Sequence, residues 1–264
     1  MAGKRPKSPQ KRGSGKLPLD WSRNQILRLL PRAVADQLAP SFDVLDVSAN
    51  QTLFEPGDAV THAYFPLGST VLTLILPMND GRMVEAATVG REGVAGGIVS
   101  LGLAPAFSRA VVQIPGRVAR ISIDNLEAVK RHKPKLHDLL TRYADCLLSQ
   151  VLQSVGYASV HSLEERAARW LLMTHDRLQS PDLPLTQENL AEMFGVARTY
   201  VTRIARKLQK DGAISYRRGI IRIEQRSLLA KSSCECYALV RRHFDRVLPG
   251  LYPRSEKEEG RGGA

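Results

Sequence analysis

Cysteine is scarce. The 264 residues hold three, Cys146, Cys234 and Cys236, too few for the disulfide framework of a small secreted domain and in keeping with a reducing compartment. No apolar stretch approaches the roughly 18 residues of a membrane-spanning helix. The basic N-terminus has no apolar segment behind it of the kind a secretory signal needs. The expectation is a cytoplasmic chain that makes no contact with a membrane. Catalytic signatures are missing as well. The six histidines form no His-Glu-x-x-His pattern, no serine sits in a Gly-x-Ser-x-Gly elbow, and no Gly-x-x-x-x-Gly-Lys run is present to cradle a phosphate. Gly90, Gly93, Gly96 and Gly97 are not a dinucleotide fingerprint, because no β-α-β pattern surrounds them. An enzyme is disfavoured, and neither a cofactor nor a metal is expected.

Negative charge is lacking in two places. The opening segment carries Lys4, Arg5, Lys7, Lys11, Arg12 and Lys16 with no acid. It is rich in Pro, Gly and Ser and reads as a disordered basic tail. Between Thr186 and Arg226, nine basic residues face four acidic ones, a net of +5, whereas Ser41–Asn125 is net −3. The overall charge of +12 is therefore segregated to the tail and the C-terminal third, which points to an anionic partner for those parts.

The middle region reads as strands. "FDVLDV", "YFPLGSTVLTLILP", "RMVEAATVG" and "RAVVQIPGRVARISI" are rich in β-branched and aliphatic residues. Turn signals separate them at Glu55–Asp58, Asn79–Arg82, Gly90–Gly93 and Pro115–Gly116. Asn79-Asp80-Gly81 is a credible hairpin turn. Many short strands with closely spaced turns argue for an antiparallel sandwich or jelly roll.

Helical periodicity takes over after Asp124. Pro134 suits a first helical turn. His137, Leu140, Ala144, Leu147, Val151 and Ser154 then follow a 3-4-3-4 spacing, flanked by Leu136, Leu139, Tyr143, Leu148 and Val155. So wide an apolar face must be covered, by its own domain or by a second copy. A further helix begins at Ser162, whose spacing to Glu165 is that of a capping box.

The stretch from Thr186 to Gly219 carries the sharpest signal. Thr186 caps a short helix, "QENLAEMF", and Gly195 follows where a chain leaving a helix often turns left-handed. Val196 is placed to plug the angle before a second helix from about Ala197 to Gln209. That helix is apolar at Val201, Ile204, Ala205 and Leu208 and polar at Arg198, Thr199, Thr202, Arg203 and Arg206. Ala213–Tyr216 and Ile220–Ile223 read as a hairpin tipped by Arg217 and Arg218. Together these make a winged helix-turn-helix. Such a second helix lays its N-terminal side chains on base edges in the major groove, where Arg meets guanine and Thr meets thymine or a polar edge. Arg198, Thr199, Thr202 and Arg203 are therefore the expected base readers. Thr186, Gln187, Arg206, Arg217 and Arg218 are the expected backbone contacts, and double-stranded DNA is the expected partner.

"LTQENLAEMFGVARTYVTRIARKLQKDGAI", with "LFEPGD" (Leu53–Asp58) and "YFPLGS" (Tyr64–Ser69), resembles the Crp/Fnr family of transcription regulators over about residues 21–245. The resemblance implies an α+β chain: an N-terminal antiparallel β jelly roll similar to cyclic-nucleotide-binding domains, a long dimerisation helix and a C-terminal winged helix-turn-helix. The implied division is a basic tail over 1–18, a sensor over 19–130, a dimerisation helix over 131–158, a DNA-binding domain over 159–245 and a flexible tail over 246–264. A homodimer on a palindromic site, with RNA polymerase as a further partner, is also implied. Ala197 departs from the pattern, since a Ser usually caps that helix.

The sensor departs further. Family members that bind cyclic AMP carry a Gly-Glu-Leu and Arg-Ser-Ala cassette. Here Gly97 stands at the Glu position, and Ser108-Arg109-Ala110 displaces the Arg by one place, which in a strand turns it to the other face. The resemblance thus outlines an effector pocket at Glu92, Gly96, Gly97, Ser108 and Arg109, but one degenerate for cyclic AMP, so that any effector is a small molecule of another kind. The iron–sulfur sensors of the family need several cysteines, mostly near the N-terminus, and there are none before Cys146. The Cys234–Cys236 pair, with His243 some way downstream, reads as inert thiols. A cyclic-nucleotide-responsive regulator and a ligand-independent architectural DNA binder are the alternatives.

Overall fold

The computed structural model describes residues 19–79, 83–97, 105–178 and 180–252. The basic tail, residues 80–82 of the expected hairpin turn, residues 98–104 and the chain from 253 onward lie outside the described residues. Two short helices, α1 (Gln25–Arg28) and α2 (Arg32–Leu38), lead into seven strands. These are β1 (Phe42–Val47), β2 (Thr52–Phe54), β3 (His62–Leu67), β4 (Val71–Pro77), β5 (Met83–Val89), β6 (Arg109–Ile114) and β7 (Gly116–Ser122). They form two antiparallel sheets, ordered β1-β7-β3 and β2-β6-β4-β5. Val47 and Val118 from one sheet meet Leu72, Val89 and Val112 from the other in a dry core. This is the two-layer solution for sheets with one apolar face each.

Ser122 then caps α3 (Ile123–Lys130), accepting from the Asn125 amide. The long helix α4 (Pro134–Val160) runs for 27 residues, about 40 Å at 1.5 Å per residue. Leu136, Leu139, Leu140, Tyr143 and Cys146 on one side of it are buried in a core with Ile26, Leu27 and Leu38 from α1 and α2. Among the described residues, the large apolar side chains that α4 exposes are Leu148, Leu152, Val155 and, at its end, Val160, which are 51, 63, 67 and 78% exposed. This shifts the seam read from the spacing: Leu140 belongs to the chain's own core. A helix with apolar residues around much of its circumference does not reveal which arc its own domain covers.

Beyond α4 come α5 (Leu163–Leu178), β8 (Asp182–Leu183), α6 (Gln187–Phe194) and α7 (Arg198–Lys210). The wing is β9 (Ile214–Arg217) and β10 (Ile220–Ile223), and two helices follow, α8 (Arg226–Lys231) and α9 (Cys236–Val247). Strand β10 pairs with both β8 and β9. The expected flexible tail from 246 is corrected by the packing. Leu248, Leu251 and Tyr252 are buried with Val240 and Phe244 of α9 against α4, in the core that α1 and α2 share. The apolar spacing of Val240, Phe244 and Leu248 makes one face of a helix, and what that face buries against is a tertiary matter.

The strand-rich half and the winged-helix half meet over a built interface. Val71 of β4 and Ile114 of β6 enter the core of α5, α6, α7 and the wing. The indole N–H of Trp170 donates to Glu85 Oε2 at 2.9 Å. Ser69 Oγ donates to the Leu178 carbonyl at 2.7 Å. The guanidinium of Arg177, 1% exposed, pairs with the fully buried Glu92 at 2.8 Å and also donates to the carbonyls of Thr88 and Met173. Gly90 makes room for it, since a Cβ there would stand 2.7 Å from the Arg177 side chain.

Candidate nucleic-acid interface

Helix α6 starts with a reciprocal cap. Thr186 Oγ1 accepts from the Asn189 amide, and Asn189 Oδ1 accepts from the Thr186 amide, each at 3.1 Å. The helix ends at Gly195, whose φ of 63° is left-handed. The Val196 amide reaches back to the Ala191 carbonyl at 3.0 Å, closing the end in the Schellman manner. Val196 then packs, partly buried, into the core beneath. The turn chemistry of Gly195 and Val196 therefore sets the angle at which α7 leaves.

Helix α7 buries Val201, Ile204, Ala205 and Leu208, the i, i+3, i+4, i+7 stripe expected of a helix lying on a core. Its opposite face presents Arg198, Thr199, Tyr200, Arg203 and Arg206. The Arg203 guanidinium lies 4.2 Å over the Tyr200 ring, and Arg198 stands 3.6 Å from Glu188. Both arginines are solvated, so these contacts orient the side chains at little cost to their release. Tyr200, 43% exposed, is a face residue that the polar pattern alone passed over; an exposed aromatic beside a row of arginines was the available signal.

Three expected contacts are differently employed. Thr202 is half-buried, and its hydroxyl donates to Gln187 Oε1 at 2.6 Å, so Thr202 and Gln187 brace α7 against α6. The Thr186 hydroxyl is taken up by the α6 cap. Lys207 turns away from the face to meet Glu164 of α5 at 2.5 Å. What remains open to a ligand is Arg198, Thr199, Tyr200, Arg203 and Arg206 on one helix, with Arg217 and Arg218 at the wing tip. Arg218 and Gly219 have φ of 47° and 81°, the left-handed pair of a tight two-residue hairpin loop. A Cβ on Gly219 would stand 3.5 Å from Thr186 Cγ2, so the wing tip lies beside the start of α6. Arg222 on β10 is committed to Asp182, at 2.9 Å across the β8–β10 pair. The open residues are all neutral or cationic, and five arginines stand where a polyanion would meet them.

The residues outlined as an effector pocket do not come together. Glu92 is sealed inside with Arg177. Gly96 and Gly97, at φ of 87° and 56°, approach the His62 carbonyl and the Ile123 side chain too closely for any Cβ. Ser108 is half-buried at the head of β6. Along β6, Ala110 and Val112 point into the sandwich and Arg109, Val111 and Gln113 point out of it. Strand alternation thus decides the displaced arginine. Arg109 Nε donates to Glu55 at 2.7 Å, on the border of a cavity of about 200 Å³ between the sheet and α6. Met83, Glu85, Gln113, Glu192 and Met193 share that border, and Glu92, Gly96, Gly97 and Ser108 do not. Half-buried Glu85 has its carboxyl pushed above the ordinary value by burial, against the hydrogen bonds from Thr88 and Trp170.

Comparison with known proteins agrees with this geometry. Residues 165–232 match the Crp-like helix-turn-helix domain family. The chain is 25% identical over 192 residues to the global nitrogen regulator of Nostoc sp., covering 69% of this chain and 85% of the relative. Its fold is that of FixK2 from Bradyrhizobium japonicum, with a TM-score of 0.63, 16% identity, and 73% of this chain matched to 98% of that one. It is also that of the c-di-GMP responsive global regulator CLP of Xanthomonas campestris, with a TM-score of 0.58, 16% identity, and 74% of this chain matched to all of that one. Among the described residues no helix is long and apolar enough to cross a membrane.

Proposed function

We propose, starting from the premise that the chain is a Crp/Fnr-type transcription regulator, that it acts in the cytoplasm as a homodimer reading a palindromic DNA site through α7. The observation that carries the reading is the solvated row Arg198, Thr199, Arg203 and Arg206 on a helix whose other face is buried. Arg198, Thr199 and Arg203 reach base edges. Arg206, Arg217 and Arg218 meet phosphates. Thr202 and Gln187 hold the frame and touch DNA only if their mutual hydrogen bond opens. Two copies joined along α4 would present their recognition helices about 34–36 Å apart, one helical turn of DNA. RNA polymerase is the further partner that such a regulator addresses.

The sensor reads best as one that does not take cyclic AMP. The internal pairings of Glu92 with Arg177 and of Arg109 with Glu55 support this, because each of these two charges already has a partner of opposite sign. A small-molecule effector of another kind would have to enter elsewhere, and the cavity beside Arg109 borders both halves.

The test is selection of a bound site from random duplexes, followed by affinity over a salt series with and without cyclic AMP. Arg198→Ala should lose about 1–3 kcal/mol of discrimination at one base position. Arg217→Ala should weaken all sequences alike and reduce the salt slope by about 1. Unchanged sequence preference in Arg198→Ala would remove α7 from the groove, and tightening by cyclic AMP would restore the family's usual sensor.

A further inference from the structure

The linker between α4 and α5 is two residues long, and the first of them is His161. Across from it lie Cys234 and Cys236, on the turn that leads from α8 into the start of α9. The three ligand atoms, one imidazole nitrogen and two sulfurs, all lie within 4.8 Å of one another. Both cysteines are buried, at 4 and 2% exposure, and both are free. The sequence paired these thiols only with His243, which instead meets Asp145 of α4 at 2.7 Å. His161 is brought in from more than 70 positions earlier in the chain.

We propose that His161, Cys234 and Cys236 bind a soft divalent cation of the zinc class, tying the α4–α5 linker to the start of α9. Two thiolates and one imidazole are the donor set such ions prefer. Metal–sulfur and metal–nitrogen bonds of roughly 2.3 and 2.0–2.1 Å place tetrahedral ligand atoms about 3.5–3.8 Å apart. The observed spread of up to 4.8 Å therefore needs a closure of no more than about 1.3 Å, within reach of side-chain rotation. The fourth position falls to Glu235, whose carboxylate is 3.6 Å from His161 Nε2 and lies on the solvent side, or to water. Gln153 of α4 donates to Cys236 Sγ at 2.9 Å, the outer-shell contact that orients a sulfur ligand. Binding one M²⁺ replaces the two thiol protons, which leave to solvent, and no electrons are transferred.

The consequence is mechanical. Helix α9 packs along α4, so the bound ion would close a ring through α4, the linker and α9. The direction in which α5 leaves that ring sets where α7 points. This coupling rests on the DNA-binding reading, whereas the site itself does not.

The experiment is titration of the reduced, full-length protein with Co²⁺, followed by displacement with Zn²⁺. The expected result is one cobalt per chain, with a thiolate-to-cobalt charge-transfer band, intense tetrahedral visible bands, and loss of both on adding one equivalent of zinc. Cys234→Ser and Cys236→Ser should each diminish the charge-transfer band. His161→Gln should weaken binding by about tenfold or more, the least that even an outer-shell loss tends to cost. Cys146→Ala should leave the spectrum intact, its thiol lying in the other core with its pKa pushed by burial up to about 12. Absence of the charge-transfer band in the wild-type protein overturns the proposal even if a variant fails to fold, as does a band that survives both serine variants. Failure of site selection in the DNA experiment would leave the cobalt spectrum unchanged, so the two readings fail separately.

Discussion

Glu85 illustrates what single residues decide in this molecule. It lies on an outward-facing strand position, yet it is the acceptor for Trp170 of α5 and for Thr88 beside it. Burial holds its pKa above the ordinary 4.5, so the folded state keeps a proton that the unfolded chain releases. Stability from this group is therefore fully present below pH 4.5 and declines as pH rises through the raised value. Glu85→Gln keeps an acceptor for the indole and has no proton to lose. Urea denaturation of the two proteins across pH 4–8 should show a decline in the wild type that the variant lacks; parallel curves would place Glu85 in ordinary solvent. Nothing in the residues around Glu85 announced this role, because its partner is 85 positions away. Arg109 was half-legible: period-two alternation correctly turned it out of the sandwich, but only the packing of α6 shows what it turned towards.

At the scale of elements, the helix-turn-helix was the most readable part of the chain. Its signals are local: a capping threonine, a left-handed glycine, a plug residue and a 3.6-residue stripe all act within a few positions of one another. Ala197 is the local rule it breaks. It occupies an N-cap with extended φ and ψ of −65° and 140° and no side-chain acceptor. Ala197→Ser should supply one, worth about 1 kcal/mol, and raise the melting temperature by roughly 2–4 °C. No rise in a thermal melt would mean that the start of α7 is held in another way. Helix α9 fell within the expected DNA-binding domain and flexible tail, and the packing places it elsewhere. Its stripe continues through Leu248 to Leu251 and Tyr252, and it belongs with α4 and the N-terminal helices.

For the whole molecule, α4 matters most. Its inner face is used within the chain, and Leu148, Leu152 and Val155 remain as a stripe of one apolar residue per turn. Such a stripe in water is the signature of a partner helix. Leu152→Arg should convert a dimer to a monomer in sedimentation equilibrium and lower affinity for a two-half-site duplex far more than for a single half-site. A wild-type chain that sediments as a monomer at the same concentration would retire the α4 seam.

The sequence by itself determined the elements, the strand alternation, the turn and cap chemistry of the helix-turn-helix, and the separation of positive from negative charge. Each of these depends on neighbours within one or two turns, where backbone geometry leaves few choices. The tertiary structure alone decided which arc of α4 is covered and that Glu92 answers to Arg177. It also decided that α9 closes on α4 and that His161 meets two cysteines from the far end of the chain. These are pairings between faces already complete in themselves, and many partners would satisfy each face locally. Only the simultaneous packing of all of them selects one.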